Sequence, residues 1–306
     1  LIGLSMALGA LMAYYLAKGV GSNVALLTLP VTLLMITSKF YLGGVVFGQL
    51  PFMLSSFFLM CSALAISKSS LPRSYILIAV FFSGTALTHT SETVFLTLFI
   101  AAAMAASIIF AAIKEKNVAR SIRNFFAAHK KVLSATAITA LVIAYFVPIF
   151  FGVWLKIQPY RGIKVEQIAA SFPPATVGLR DFKFMLIFLI IGLVAAAAFY
   201  YQKRNELHKI LETPELLVLG FSSFMLLAGF GTLFGFGLRS FQTRLYWPIT
   251  LAPLFGFGAY QLLRLLFVLL RKHSAFITIP AAGVLTIAIL TAAYNPVLSG
   301  LIDKDR

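Results

Sequence analysis

TVFLTLFIAAAMAASIIFAAI, from Thr93 to Ile113, runs for 21 residues without a charged side chain. A helix crossing a hydrocarbon core of ~30 Å needs about 20 mainly apolar residues, and this stretch supplies them. Its apolar character is continuous rather than alternating, and it is far longer than a barrel strand, which excludes a membrane β-strand. With no water to satisfy its backbone, such a segment must be helical. Working outward, nine further stretches read the same way: 1–17, 23–38, 45–67, 74–88, 132–155, 184–201, 216–238, 245–263 and 274–294. The expected fold is all-α, a polytopic transmembrane helix bundle of about ten spans forming a single domain over 1–306. The shortest stretches are 23–38 and 74–88, and Pro30 is expected to break the first of these.

Composition agrees. Of 306 residues, 60% are apolar and 11% charged, and the mean hydropathy is +0.96. A soluble domain has roughly 45–50% apolar and about 25% charged residues. A soluble enzyme, a disordered chain and a secreted disulfide scaffold are therefore excluded. Cys61, the single cysteine, has no partner for an internal bridge. Leu1 already lies inside an apolar run, with no Met, charged leader or cleavage site around it. The expectation is a chain cut from a longer one at its N-terminal side.

The formal net charge of +16 would fit nucleic acid, but the cations lie between the spans. If the connections alternate, starting inside at Lys18, fifteen Lys and Arg fall inside and ten outside. That excess sets the orientation and places the C-terminus outside. Two connections are longer than a turn. The inner one, 114–131, carries Val118, Ile122, Phe125 and Phe126 on one helical face with six cations around them. This is the pattern of an amphipathic helix lying on an anionic leaflet, with a solvated charge run as the plainer alternative. The outer one, 156–182, spaces Val165, Ile168, Ala169 and Phe172 at i, i+3, i+4 and i+7 before Pro173 and Pro174, and reads as a short helix over about 165–172.

Ionisable groups at membrane depth are costly, so their positions are informative. Acids are nearly absent from the spans; Glu92 and Glu215 stand at helix starts. That scarcity counts against a proton- or sodium-coupled transporter. Thr88-His89-Thr90-Ser91-Glu92 occupies an outer turn, and His89 is the one histidine of four on that side. A His–Glu pair on one helical turn could orient a hydroxyl acceptor, act as acid or base, or help hold a divalent cation. Equally, a Ser or Thr could cap the following helix while Glu92 complements its dipole.

A second constellation is Leu238-Arg239-Ser240-Phe241-Gln242-Thr243-Arg244-Leu245-Tyr246-Trp247-Pro248. Arg239 and Arg244 flank a short outer turn that lacks an acid. They read either as snorkelling anchors, with Tyr246 and Trp247 as an interfacial belt, or as a grip on a lipid phosphate. Lys39 is a third outer cation, followed by a Gly-rich stretch from Gly43 to Pro51 that packs closely or kinks. Tyr160 and Arg161 in the long outer loop are candidate acceptor contacts. Walker A, GxGxxG, metal-spaced Cys/His sets, HExxH and GxSxG patterns are all absent from the sequence. No aromatic platform accompanies the cations, so nucleic acid is not an expected partner.

Many apolar spans, an outer-boundary histidine in Leu87-Thr88-His89, and an Arg-rich outer turn running into Tyr246-Trp247-Pro248-Ile249 resemble the polytopic C-type (GT-C) membrane glycosyltransferase superfamily of prokaryotic cell envelopes and its relatives. The resemblance implies an enzyme that moves a sugar from a polyprenyl-phosphate donor to an acceptor at the outer face of the plasma (inner) membrane. It makes Arg239, Arg244 and Lys39 candidates for donor phosphate, and His89 and Glu92 catalytic candidates. It also implies a principal acid in an outer loop upstream of Leu1. A Trp-Trp-Asp motif and a large soluble C-terminal domain, which mark the oligosaccharyltransferase subtype, are not in this sequence. Membrane lipid and a lipid-linked sugar are the expected partners. Competing expectations are an O-antigen polymerase or ligase type of enzyme, which needs no upstream acid, a lipid-linked-sugar flippase, and a non-catalytic anchoring protein.

Overall fold

The computed structural model describes residues 2–37, 50–156, 179–180, 182–231, 244–270 and 275–302. Among these the regular structure is entirely helical. In chain order the helices are α1 Ile2–Ala17, α2 Ser22–Thr32, α3 Leu34–Thr37, α4 Leu50–Ser67, α5 Ser74–Thr88, α6 Thr90–Glu115 and α7 Val118–Ala128. They continue as α8 Lys130–Lys156, α9 Leu186–Gln202, α10 Pro214–Ala228, α11 Trp247–Thr250, α12 Ala252–Leu270 and α13 Ala275–Ile302. Short 3-10 turns stand at Lys183–Met185 and Arg204–Lys209. Lys39, Tyr160, Arg161, Arg239 and the expected helix at 165–172 lie outside the described residues.

The expectation of about ten spans is met only in part. Glu92–Glu115 and Lys183–Gln202 are long and apolar enough to cross a membrane. Two bent pairs, Val118–Ala128 with Lys130–Phe146 at 71° and Arg244–Thr250 with Ala252–Leu266 at 47°, raise the number to four if each pair is one span. The apolar helices α1, α2, α4, α5 and α10 are shorter. α5 has 15 residues, about 22 Å at 1.5 Å per residue, against a core of ~30 Å. Pro30 does not break α2 where it stands; it is carried inside the helix, which ends two residues later at Thr32 and resumes as α3 after Leu33.

Helices of this bundle are apolar all round. α9 buries Leu189 and Ala196 yet exposes Ile187, Ile190 and Val194, and α13 exposes Ile279, Val284 and Ile287. A water-facing helix would carry polar residues on that outer face. Inside, α12 is the pivot: it packs against α9 on one side and α2 on the other. Gly192 and Gly258 lie so close that a Cβ on either would meet the opposing helix backbone, at Leu254 or Phe188. Small residues permit this approach, and apolar contact and dispersion then hold the helices without a ladder of polar bonds.

Among the described residues, several connections gather at one end. Lys131 Nζ donates to the carbonyls of Ser69, Ser70 and Leu71 at 3.2, 3.2 and 2.9 Å. His129 Nε2 lies 3.8 Å from Glu212, and the α1–α2 turn packs at Gly19 against Pro214. These are all connections that the charge pattern assigned to one side. α7 is bounded by Lys116 in a left-handed conformation and by Asn117, whose side chain accepts from the backbone N–H of Arg120. It turns sharply from α8, buries Ser121 and Phe125, and leaves Val118, Ile122 and Phe126 exposed. The amphipathic stretch thus becomes a helix of 11 residues within the expected 114–131.

Candidate functional site

The opposite end of the bundle holds His89 and Glu92. α5 ends at Thr88, His89 is extended at φ −158°, and α6 begins at Thr90. The helix is therefore opened by His89 itself, not by a capping Ser or Thr side chain, and His89 makes no side-chain cap bond. Instead its Nδ1 meets Glu92 Oε2 one turn on. The other carboxylate oxygen, Oε1, accepts from the Tyr246 hydroxyl.

Glu92 is completely buried, whereas His89 keeps 21% of its side chain exposed. A buried carboxylate is costly unless it is paired and hydrogen-bonded, and Glu92 has a partner on each oxygen. Its place in the first turn of a 26-residue helix adds a favourable dipole. The sequence placed Glu92 at an outer rim; the fold buries it, with His89 on one carboxylate oxygen and the buried Tyr246 on the other. With Nδ1–H donated to Glu92, the imidazole's other nitrogen, Nε2, becomes its basic one.

Tyr246 and Trp247 correct the sequence reading. One of the two readings set both in an interfacial belt, and both are fully buried. Trp247 Nε1 donates to the Met225 carbonyl at 3.1 Å, and the indole stacks at a tilt on Phe230 with ring centroids 5.7 Å apart. Gly229 lies beneath it, so close that a Cβ there would strike the ring. Arg244 is buried too, at 6% exposure, and its Nε donates to the Gly229 carbonyl at 2.7 Å. A snorkelling guanidinium reaches water, whereas this one is buried with its Nε on a helix-end carbonyl.

The fold therefore unites two constellations that lie 154 residues apart in sequence. His89, Glu92 and Arg244 were expected at the site, and the structure joins the first two and sets Arg244 two residues before their partner Tyr246. Tyr246 was missed as a site residue. Its flanking Leu-Tyr-Trp-Pro pattern fits any membrane boundary, and only the long-range bond distinguishes it. Among the described residues no three of His, Cys, Asp and Glu group closely enough to hold a metal ion. His89 and Glu92 would supply two ligands at most, and they already bind each other. No family model matches the chain, and no curated protein or solved structure matches it.

Proposed function

We propose that this chain is a multi-pass membrane transferase that moves a sugar from a polyprenyl-phosphate-linked donor to a hydroxyl acceptor at the outer face of the plasma (inner) membrane. The observation that carries the reading is the His89–Glu92–Tyr246 chain: a part-exposed imidazole oriented by a buried carboxylate, itself held by a buried phenol. This is the arrangement a general base requires. His89 Nε2 takes the acceptor's hydroxyl proton. The acceptor oxygen attacks the sugar's anomeric carbon, and the bond to the donor phosphate breaks. The phosphate leaves with one more negative charge, which Arg244 is suited to stabilise, with Arg239 and Lys39 as the further outer cations that the sequence offers.

The placement in a membrane, with about ten crossings and the C-terminus outside, is part of the same proposal. It is supported by the outward apolar faces of α9 and α13. It is supported also by the 27 and 28 residues of α8 and α13. One observation favours the polymerase or ligase type within this class. Because His89 is already oriented by Glu92, the site has a base without an acid upstream of Leu1.

The test is transfer from a radiolabelled polyprenyl-phosphate hexose, and from the diphosphate form, in detergent-solubilised membranes. His89→Ala and Arg244→Ala are expected to lower the transfer rate by about 10²–10⁴-fold, the range for a lost general base or charge stabiliser, with insertion unchanged. Full activity in His89→Ala would end the base role. Absence of transfer with both donor forms would end the transferase reading.

A further inference from the structure

Away from His89, at the end that carries the 203–213 connection, a cleft of about 600 Å³ opens between α9, α12, the α1–α2 turn and the start of α10. Its walls are of two kinds. Val20, Phe199 and Phe257 form an apolar slot, and Lys203, Glu215 and Arg264 stand around it. Glu215 sits in the first turn of α10, after Pro214. Arg264 projects from α12 in a run that is otherwise apolar from Leu262 to Leu270.

The pairing among these charges is incomplete. Lys203 Nζ is bound to Glu206 at 2.9 and 3.1 Å, so much of its charge is answered. Arg264 and Glu215 share the cleft but make no ion pair with each other, and neither makes a side-chain hydrogen bond to another described residue. A cation and an anion that share a cleft without pairing, beside an apolar slot, are complementary to a ligand that brings both charges on one end and hydrocarbon on the other. With Lys203 largely answered, the cleft's charge is near balance, which favours a zwitterionic head over an anionic one.

We propose that this cleft holds one membrane phospholipid with an aminoethyl-phosphate head. Its phosphate lies against Arg264, its primary ammonium against Glu215, and an acyl chain runs along Phe199 and Phe257. A primary ammonium donates charge-assisted hydrogen bonds to the Glu215 carboxylate, which a quaternary ammonium cannot do. The proposal shares with the transferase reading only its membrane placement. It needs neither His89 nor sugar transfer.

The test is native mass spectrometry of the full chain in detergent, supplied with equal amounts of palmitoyl-oleoyl phosphatidylethanolamine, phosphatidylcholine and phosphatidylglycerol. The wild-type chain is expected to retain one phosphatidylethanolamine in preference to the other two. Arg264→Gln should lower that retention about ten-fold, whereas Arg120→Gln, which removes a cation from the exposed face of α7, should not. Glu215→Gln should erase the preference for phosphatidylethanolamine over phosphatidylglycerol. Ala198→Trp, which fills the slot while leaving every charge in place, should exclude the lipid and covers the case in which a charge variant fails to fold. Equal retention of the three lipids by the wild type, or equal losses in Arg264→Gln and Arg120→Gln, would overturn the proposal. Displacement by soluble O-phosphoethanolamine at millimolar concentration would overturn the acyl-chain part and leave a headgroup site. Transfer activity is read separately, so a lipid result against this cleft leaves the outer-end site standing.

Discussion

Glu92 is bound on both carboxylate oxygens, and each bond asks something different of it. The His89 side fixes a tautomer; the Tyr246 side fixes the carboxylate. Glu92→Gln keeps the shape but presents an NH2 group to one of the two partners, both of which are donors in the wild type. Transfer is expected to fall by about 10²-fold or more, because His89 loses its orienting acceptor. Tyr246→Phe leaves a buried carboxylate oxygen without its donor, a loss of about 1–3 kcal/mol. Thermal unfolding of the purified chain should show that destabilisation. An unchanged melting temperature in Tyr246→Phe would mean that the phenol contributes nothing to holding Glu92.

At the scale of elements, the α9–α12 crossing rests on Gly192 and Gly258, where each helix meets the other's backbone. Gly258→Leu cannot be absorbed by a rotamer change, since the obstacle is the carbonyl of Phe188. It is expected to separate the two helices and cost at least the 1–3 kcal/mol typical of overpacking, seen as a lower melting temperature, while Gly283→Leu on α13, in open space, should leave it within error. The docking of α7 should depend on pH. His129, at its end, is buried with its ring 4.4 Å from that of Phe125. Burial holds its pKa below the ordinary 6.5, although Glu212 pulls it back upward. The undocked state therefore binds the proton more readily. Stability contributed here is full above about pH 6.5 and declines as pH falls from there toward the lowered value. Amide exchange in Val118–Ala128 should be faster at pH 5.5 than at 7.5 beyond the intrinsic effect, and His129→Phe should abolish that difference.

Across the whole molecule the prediction concerns sidedness. Two ends emerge, one holding Ser69–Leu71, Lys131 and Glu212, the other holding His89, Glu92 and Tyr246. In a Cys61→Ser background, a cysteine at Ser70 should resist an impermeant thiol reagent in intact cells, and one at Thr88 should react. The reverse pattern would invert the proposed orientation, and labelling of both would remove the membrane from between them.

The sequence by itself determined the helical class and the approximate position of each helix, because a continuous apolar run with no charge leaves the backbone one way to satisfy itself. It also determined that α7 would be amphipathic and basic, since periodicity is a local property. Span lengths were less legible: apolar residues continue past the point where a turn, such as the one after Ala228, ends the helix. Only the tertiary structure decided that Glu92, Tyr246 and Arg244 are all buried, for burial depends on which residues pack against a side chain, and Tyr246, which meets Glu92, lies 154 residues away. His89 and Glu92 could be paired on paper by their spacing of three. Tyr246 could not, because one hydroxyl finding one carboxylate oxygen across the bundle leaves no trace in the local pattern of either segment.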